Sequence, residues 1–523
     1  MDAEAFRKYG KEMVDIVADY WDTMRQRQPL PEVKPGYIWD LVPKDPPAEP
    51  EPWSRIFADI EPVVFQGTTH WHHPHFFAYY PTACSYPSIM GDILSGGIAS
   101  IGFTWKSSPA MTELEMVMTD WLAKSIGLPE CFLNSDPGPG AGMIQCTASD
   151  ATLIALLSAR ARAVSAMEQN GRLNWLYSTI SRALPTKFNL REMMKKVEQP
   201  SQEKSQSPES QIINFEHHDP VYFTKLVAYC SDQAHSSVDK GIMLAGVRMR
   251  KIKSTKDAKF NNYSVEPEVL EAAIREDRAQ GYIPFIYVAT VGTTNTCGVD
   301  SLTKLGPICN REMIWLHVDA AYAGSYALCP EFRYLIEGIE MADSFNFNCH
   351  KAMMINFDCS PMWFKDAREA INYFNVDPTY LKHEHQAVAS DYRHLQVALG
   401  RRFRALKVWF VLRSIGTAKI QEHLKIMVDR AIQFAELIEK DDRFELFVPQ
   451  HLGLVCFRLK GSDDINERLN TIINDDRRIH LVPAKAHGVY FLRFAVCNSE
   501  TTEEDVKYAY NVITELAQPL LHF

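Results

Sequence analysis

Two residues have the types and surroundings for covalent cofactor chemistry, Lys351 and Asp319. Lys351 ends the stretch S-F-N-F-N-C-H-K (344–351) and is followed by the mostly apolar A-M-M-I-N-F. A lysine so placed, after Asn348 and His350, suits a buried reactive amine better than a surface one. Upstream, the apolar run I-W-L-H-V (314–318) delivers Asp319, with Ala320, Ala321 and Tyr322 behind it. A carboxylate at the C-terminal end of such a strand stands where open α/β sheets place their ligand-binding groups. An amine and a carboxylate on neighbouring elements fit the needs of pyridoxal phosphate. The amine forms a Schiff base, and the carboxylate keeps the pyridine nitrogen protonated. The same pair is compatible with a purely structural buried contact, because ion-pair networks perturb such groups too.

Other segments carry weaker signals. The glycine-proline loop D-P-G-P-G-A-G (136–142) leads through M-I-Q-C to Thr147, Ala148 and Ser149, which open a helix. Backbone amides at a helix N-terminus can hold a phosphate, although the segment matches neither a P-loop nor a dinucleotide fingerprint. His235 follows a strand at 226–229 and opens a helix of its own. The stretch 69–82, T-H-W-H-H-P-H-F-F-A-Y-Y-P-T, holds His70, His72, His73 and His75. Their spacing is not that of a closed metal site, no cysteine accompanies them, and Pro74 breaks any helical face, so no metal is expected. Its aromatic density suits either plain core or a pocket for a flat substrate.

These groups need a scaffold, and the sequence supplies one. At 523 residues the chain exceeds a single core. Strands at 226–229, 282–294 and 314–318 alternate with helices, which predicts a mostly parallel sheet covered on both faces. Residues 2–27 show the three-four-seven spacing of an amphipathic helix, ended by the prolines from Pro29 onward. That helix cannot bury its apolar face alone, so a dimer is expected. The polar run 198–210 reads as an exposed insertion. Residues 373–392, rich in tyrosine and histidine, read as a lid loop. A helix is expected from Arg401 to Ser414, closed by Gly416, and residues 419–523 alternate helix and strand as a compact α+β unit. The net charge of −10 gives no basic footprint for nucleic acid. No apolar run approaches the ~20 residues that span a bilayer. Eleven cysteines in apolar settings, with no C-x-x-C pair and no apolar signal core, point to a cytoplasmic protein.

Taken together, H-W-H-H-P-H-F-F-A-Y-Y-P-T, S-D-Q-A-H-S-S-V, W-L-H-V-D-A-A-Y-A-G-S, D-S-F-N-F-N-C-H-K and L-G-R-R-F-R-A-L-K-V-W-F-V-L-R closely resemble the group II pyridoxal-phosphate decarboxylases, specifically the animal aromatic-L-amino-acid decarboxylases. The likeness runs nearly from end to end, apart from about 165–225. It implies the α/β architecture of the aspartate-aminotransferase-like fold type I. The divisions would be an N-terminal helical segment (1–85), a large cofactor domain (86–406, with the lid at about 375–392) and a small C-terminal domain (407–523). It implies pyridoxal 5'-phosphate on Lys351, Asp319 at the pyridine nitrogen, and His235 stacked on the ring. Ala148, Ser149 and Asn348, helped by His350, would hold the phosphate, with Thr294 near the ring hydroxyl. Trp71, Tyr79, Tyr80, Pro81, Thr82, Ile101 and Phe103 would line an aromatic substrate pocket, partly across a homodimer interface. Tyr380 would protonate the quinonoid carbon.

The resemblance also frames the product. Proton delivery to the carbanion gives an amine, whereas oxygen attack gives an aldehyde, ammonia and hydrogen peroxide, as in related aldehyde synthases. Insect synthases carry Asn where His235 stands, and plant ones carry Phe where Tyr380 stands. This chain keeps both residues, so decarboxylation of a substrate such as L-DOPA to its amine is expected. Gly400, where histidine decarboxylases have Ser, points to a catechol- or indole-sized substrate. The chain departs from the family at Ala352, usually a large apolar residue, at Tyr80, commonly Phe, at Lys106, commonly small, and at Ala141 in the glycine run.

Overall fold

The computed structural model describes residues 1–183, 220–376, 378–385, 391–496 and 498–522, with backbone alone at 169–183 and 522. The expected insertion at 198–210 and part of the lid lie outside these residues. Among the described residues, seven strands form the central sheet: β1 (Ala141–Gln145), β2 (Leu226–Ser231), β3 (Arg248–Ile252), β4 (Ile283–Thr290), β5 (Trp315–Asp319), β6 (Ser344–Asn346) and β7 (Ser360–Phe364). Their order is β1-β7-β6-β5-β4-β2-β3. The pairs from β6 through β3 are parallel, and β7 alone is antiparallel to both its neighbours. β1 therefore runs the same way as β6, and six strands end at one edge of the sheet. Strands buried on both faces read as continuous apolar runs; β2, L-V-A-Y-C-S, is buried throughout.

Local chemistry sets the element ends. The helix Pro109–Ile126 starts with proline at its first turn and stops at Gly127, φ +81°. The helix Ala148–Ala183 opens on a reciprocal pair in which Thr147 N donates to Asp150 Oδ2 (3.1 Å) and Asp150 N donates to Thr147 Oγ1 (3.3 Å). One expectation fails at residues 401–404, which are not helical; the helices here are Ala405–Ser414 and Gly416–Glu439, so Gly416 opens the second rather than closing the first. Buried carboxylates claim the two arginines. Arg401 pairs with Glu115, and Arg404 Nη2 reaches Asp358 Oδ2 at 2.8 Å. Satisfying these buried charges outweighs the one extra helical turn.

The C-terminal part builds a second sheet of β8 (Phe444–His451), β9 (Leu454–Leu459), β10 (Val482–Ala486) and β11 (Val489–Ala495), all antiparallel, in the order β8-β9-β11-β10. The N-terminal helix Ala3–Asp22 buries none of its residues, and Phe6 remains 65% exposed. The four clustered histidines have separate partners. His70 Nδ1 meets Tyr20 Oη at 2.8 Å, His72 packs its ring on Trp21, His73 Nδ1 accepts from His75 N, and His75 Nε2 meets Asp505 at 2.9 Å. Among the described residues no three His, Cys, Asp or Glu side chains gather as a metal site, and no helix is long and apolar enough to cross a membrane.

Asp505 fastens the N-terminal segment to the C-terminal helix Glu503–Ala517. Arg25 donates to both its oxygens at 3.0 Å. Burial alone would raise the carboxyl's pKa, but hydrogen bonds from His75, Arg25 and Thr502 hold it well below the usual carboxylate range. A depressed folded-state pKa stabilises above the unfolded value and is lost as pH falls toward the folded one. Asp505→Asn is therefore expected to lower the thermal midpoint at pH 7, with the gap from the parent narrowing below about pH 4. A gap of constant size from pH 7 to 3 would refute this.

Candidate active site

A cavity of about 210 Å³ lies at the edge where the co-directional strands end. Five of the strand ends contribute to its wall. Thr147, Ala148 and Ser149 follow β1, and His235 and Ser237 follow β2. Thr290, Gly292 and Thr294 come from β4, Asp319, Ala321 and Tyr322 from β5, and Asn348 and Lys351 from β6. Tyr80 alone arrives from the N-terminal segment. The parallel register explains the gathering: Thr290 pairs with Asp319, and Asp319 with Asn346, so successive strands expose their last residues side by side.

Lys351 sits in the one-turn helix Cys349–Ala352 that follows β6. Burial lowers its pKa to about 8, with Asp319 opposing and Arg493 adding to the fall. Burial likewise raises the Asp319 carboxyl, although Lys351 pulls it down. Removing either group from water disfavours its charged form. Partial burial also holds His235 below its ordinary value, with Asp319 opposing the shift. It caps the helix Ser236–Ala245, with Nδ1 accepting from Ser237 N at 3.1 Å.

Tyr80 forms the aromatic wall. Its ring stacks on Tyr322 with centroids 3.7 Å apart, and Lys351 Nζ lies 5.3 Å from its centre. The hydroxyl that distinguishes it from phenylalanine donates to the Thr293 carbonyl at 2.8 Å. That hydroxyl thus secures the loop bearing Thr294. Arg493 of β11 lies with Cζ 4.9 Å from the centre of the same ring and donates to Tyr79 O at 3.1 Å. Gly292 has φ +86°, and a Cβ there would come within 2.6 Å of the Ala323 methyl, so the tight turn after β4 requires glycine.

Nine of the residues singled out from sequence meet here: Lys351, Asp319, His235, Thr147, Ala148, Ser149, Thr294, Asn348 and Tyr80. The others stand outside the cavity wall. His350 is buried, with Nδ1 2.9 Å from the Cys359 carbonyl, and Ala83 N donates to the His350 carbonyl, which brings the Pro81–Thr82 segment beside it. Trp71 stacks on Tyr79. Ile101 is exposed and adjoins Gly400, where an added Cβ would lie 3.6 Å from Ile101 Cγ2. The Phe103 carbonyl accepts from Arg393 N. Tyr380 is 77% exposed. Its loop is joined to the turn after Phe103 by Lys106, whose Nζ reaches Glu384 at 2.8 Å. Ala352 and Met353 beside it are both buried.

Sequence reasoning missed Thr290, Ser237, Tyr322 and Arg493. The first three lie within a few residues of strand ends that were recognised. Arg493, inside V-Y-F-L-R-F-A, has no local signal and joins the site only through tertiary packing.

The donor set suits pyridoxal phosphate. A buried amine of lowered pKa faces a buried carboxylate across a small cavity. The Thr290 hydroxyl is buried there without a partner, and Ser360 donates to Asn348 Oδ1 at 2.7 Å, leaving the Asn348 amide hydrogens for an anion. The geometry defines a cofactor site of the lysine Schiff-base class. Residues 35–184 and 209–460 match the family described as "Pyridoxal-dependent decarboxylase conserved domain". The chain is 48% identical over 520 residues to the aromatic-L-amino-acid decarboxylase of Drosophila melanogaster, covering 99% of this chain and 92% of that protein. It is 46% identical to that of Cavia porcellus, covering 100% and 99%. Among solved structures, Catharanthus roseus tryptophan decarboxylase in complex with L-tryptophan matches with TM-score 0.83 and 34% identity over 99% of both chains. Rhodiola rosea 4-hydroxyphenylacetaldehyde synthase matches with TM-score 0.83 and 31% identity over 99% of both. The chain belongs to the pyridoxal-dependent decarboxylase family, and its cofactor is pyridoxal 5'-phosphate.

Only the neutral amine attacks an aldehyde. With the cofactor-free Lys351 amine titrating near pH 8, the rate at which apoenzyme captures pyridoxal phosphate is expected to rise through about pH 8 and level off above it. Stopped-flow absorbance reads this directly, with Lys351→Ala giving no capture signal at any pH. A rate still climbing steeply toward pH 10 would place the lysine in water.

Proposed function

We propose that this protein decarboxylates aromatic L-amino acids, L-DOPA among them and 5-hydroxytryptophan or tyrosine as further candidates, to the amine and CO2. We further propose that it works as a cytoplasmic homodimer. The observation that carries the reading is the meeting of Lys351 and Asp319 at an aromatic-walled cavity, in a chain aligned almost end to end with aromatic-L-amino-acid decarboxylases.

When bound, pyridoxal phosphate supplies an electron sink for the pair released as the Cα–carboxylate bond breaks. The chain's own residues do the rest. Lys351 would contribute the amine that holds the cofactor. Asp319, at the end of β5, would hold a proton on the cofactor's aromatic nitrogen, since an opposite charge at close range favours the protonated form. His235 offers its ring for stacking. The Ala148–Ser149 amides, at the N-terminus of a long helix, suit a phosphate dianion. Tyr80 and Tyr322 give a flat apolar flank for an aromatic side chain. Tyr380 Oη delivers the proton to the substrate Cα.

Homodimerisation is supported by the residues left outside the wall. Ile101 is 55% exposed, and Tyr86, Met90, Ile93 and Leu94 on the helix Tyr86–Ile98 are also exposed. A contiguous apolar face of this kind marks an association surface. In our reading it brings Ile101 and Phe103, with the neighbouring Gly400, to the second subunit's cavity.

The test is product stoichiometry with L-DOPA in air. Amine equal to CO2 without peroxide is expected. Aldehyde and peroxide matching CO2 would replace this reading with an aldehyde synthase. Tyr380→Phe is expected to divert product from amine toward aldehyde; an unchanged ratio would remove Tyr380 as proton donor.

A further inference from the structure

The β10–β11 hairpin of the small sheet meets the turn before His235 with its own turn, and its Arg493 lies over the ring of Tyr80 in the cavity wall. The turn is His487–Gly488, both at positive φ (+48° and +84°), which is the two-residue form that suits twisted hairpins. His487 stacks on Tyr263, with centroids 4.3 Å apart and planes 13° from parallel. Its Nε2 lies 3.1 Å from Ser254 Oγ. Ser254 is fully buried, and its hydroxyl proton goes to Asp232 Oδ1 at 2.6 Å. The serine oxygen therefore accepts from His487 Nε2–H, giving a relay from His487 through Ser254 to Asp232. The carboxylate also takes Ser254 N at 3.2 Å, while Asp232 N donates to the Ile252 carbonyl.

Asp232 begins the short turn that ends at His235. Ala234 N and Gln233 N both return to Ser231, so the turn has little freedom once Asp232 is fixed. Beside it, Asn295 Nδ2 bridges Gln233 Oε1 and the Lys485 carbonyl, each at 3.4 Å. The hairpin thus grips the rim loop that bears His235 and touches the one that bears Thr294. We propose that His487 is a positioning residue for the reaction: acting through Ser254 and Asp232, it fixes the turn that presents the His235 ring to the cofactor. This rests on the proposed role of His235.

His487→Asn gives the turn the Asn-Gly pair that this hairpin form prefers, so it keeps the fold while removing the imidazole. In the holoenzyme it is expected to leave the thermal midpoint close to the parent's and weaken the visible circular dichroism of the bound cofactor. It should also lower kcat by about 10- to 100-fold, with little change in KM, the scale of a small misplacement at a reacting centre. Ser254→Ala should reproduce the effect, and the double variant should add nothing further, as coupled residues do. His487→Gln, whose amide can still donate to Ser254, should recover part of the signal. Unchanged dichroism and kcat in His487→Asn would overturn the inference. So would a loss of kcat that tracks a fall in thermal midpoint equally in all variants, since that is a mere stitch between sheets. His235→Ala separates the two readings. Parent-like dichroism and kcat there would sink the role of His235 itself, whereas an impaired His235→Ala beside an unimpaired His487→Asn sinks only the relay.

Discussion

The structure depends on keeping an amine and a carboxylate out of water in the same small space. Lys351 and Asp319 are each driven toward their neutral forms by burial, and an isolated buried charge is among the most costly features a fold can carry. Mutual attraction offsets part of that cost. Among the described residues, no ion pair closes between the two groups, which leaves room for an aromatic ring. A cationic ring nitrogen opposite Asp319 would complete the compensation that Lys351 supplies only in part. The arrangement is therefore unfavourable in itself and favourable toward one kind of guest.

The parallel sheet turns that local demand into a global one. Asp319 and Lys351 come from adjacent strands, and their separation is fixed by the β5–β6 register, in which Asp319 pairs with Asn346. A one-residue slip would invert the face on which every side chain of β6 points. The reversed β7 inserts between β6 and β1 without disturbing this, because it returns β1 to the common direction. The helix Ala148–Ala183 then starts at the same edge as the lysine. Tyr80 and Arg493 reach that edge from sequence-distant segments at either end of the chain, and Tyr80 Oη ties the N-terminal segment to the loop after β4.

Much of the site was legible because parallel sheets concentrate function at strand ends. The run I-W-L-H-V before Asp319 and the small residues after β1 and β4 are visible as local patterns. The overall fold was legible for the same reason, with buried strands reading as apolar runs separated by helices. Arg401–Arg404 misled because their sequence has helical composition, while two buried carboxylates from distant segments, Glu115 and Asp358, decide their conformation. Propensity is a weak prior where buried charge must be satisfied. Arg493 and His487 were invisible for a related reason. Neither has a local pattern, and each acquires its contacts only when the small sheet closes on the large one.

The residues that remain outside the cavity argue about assembly on the same physical grounds. Ile101, Phe103 and Gly400 adjoin one another through direct packing or neighbouring backbone, yet none lines the wall around Lys351. Were they core residues of this chain, Ile101 would not be left 55% exposed beside the open face of the helix Tyr86–Ile98. Were they ordinary surface, so many large apolar groups would not be contiguous. The proposed second copy would resolve both points, because two-fold symmetry makes one patch serve both subunits at once. The Lys106–Glu384 pair then gains a meaning beyond its small exposed-pair energy. It connects the loop that carries Tyr380 to the segment that carries Phe103, so in the proposed dimer the proton donor and the substrate-facing aromatic would approach the same cavity together.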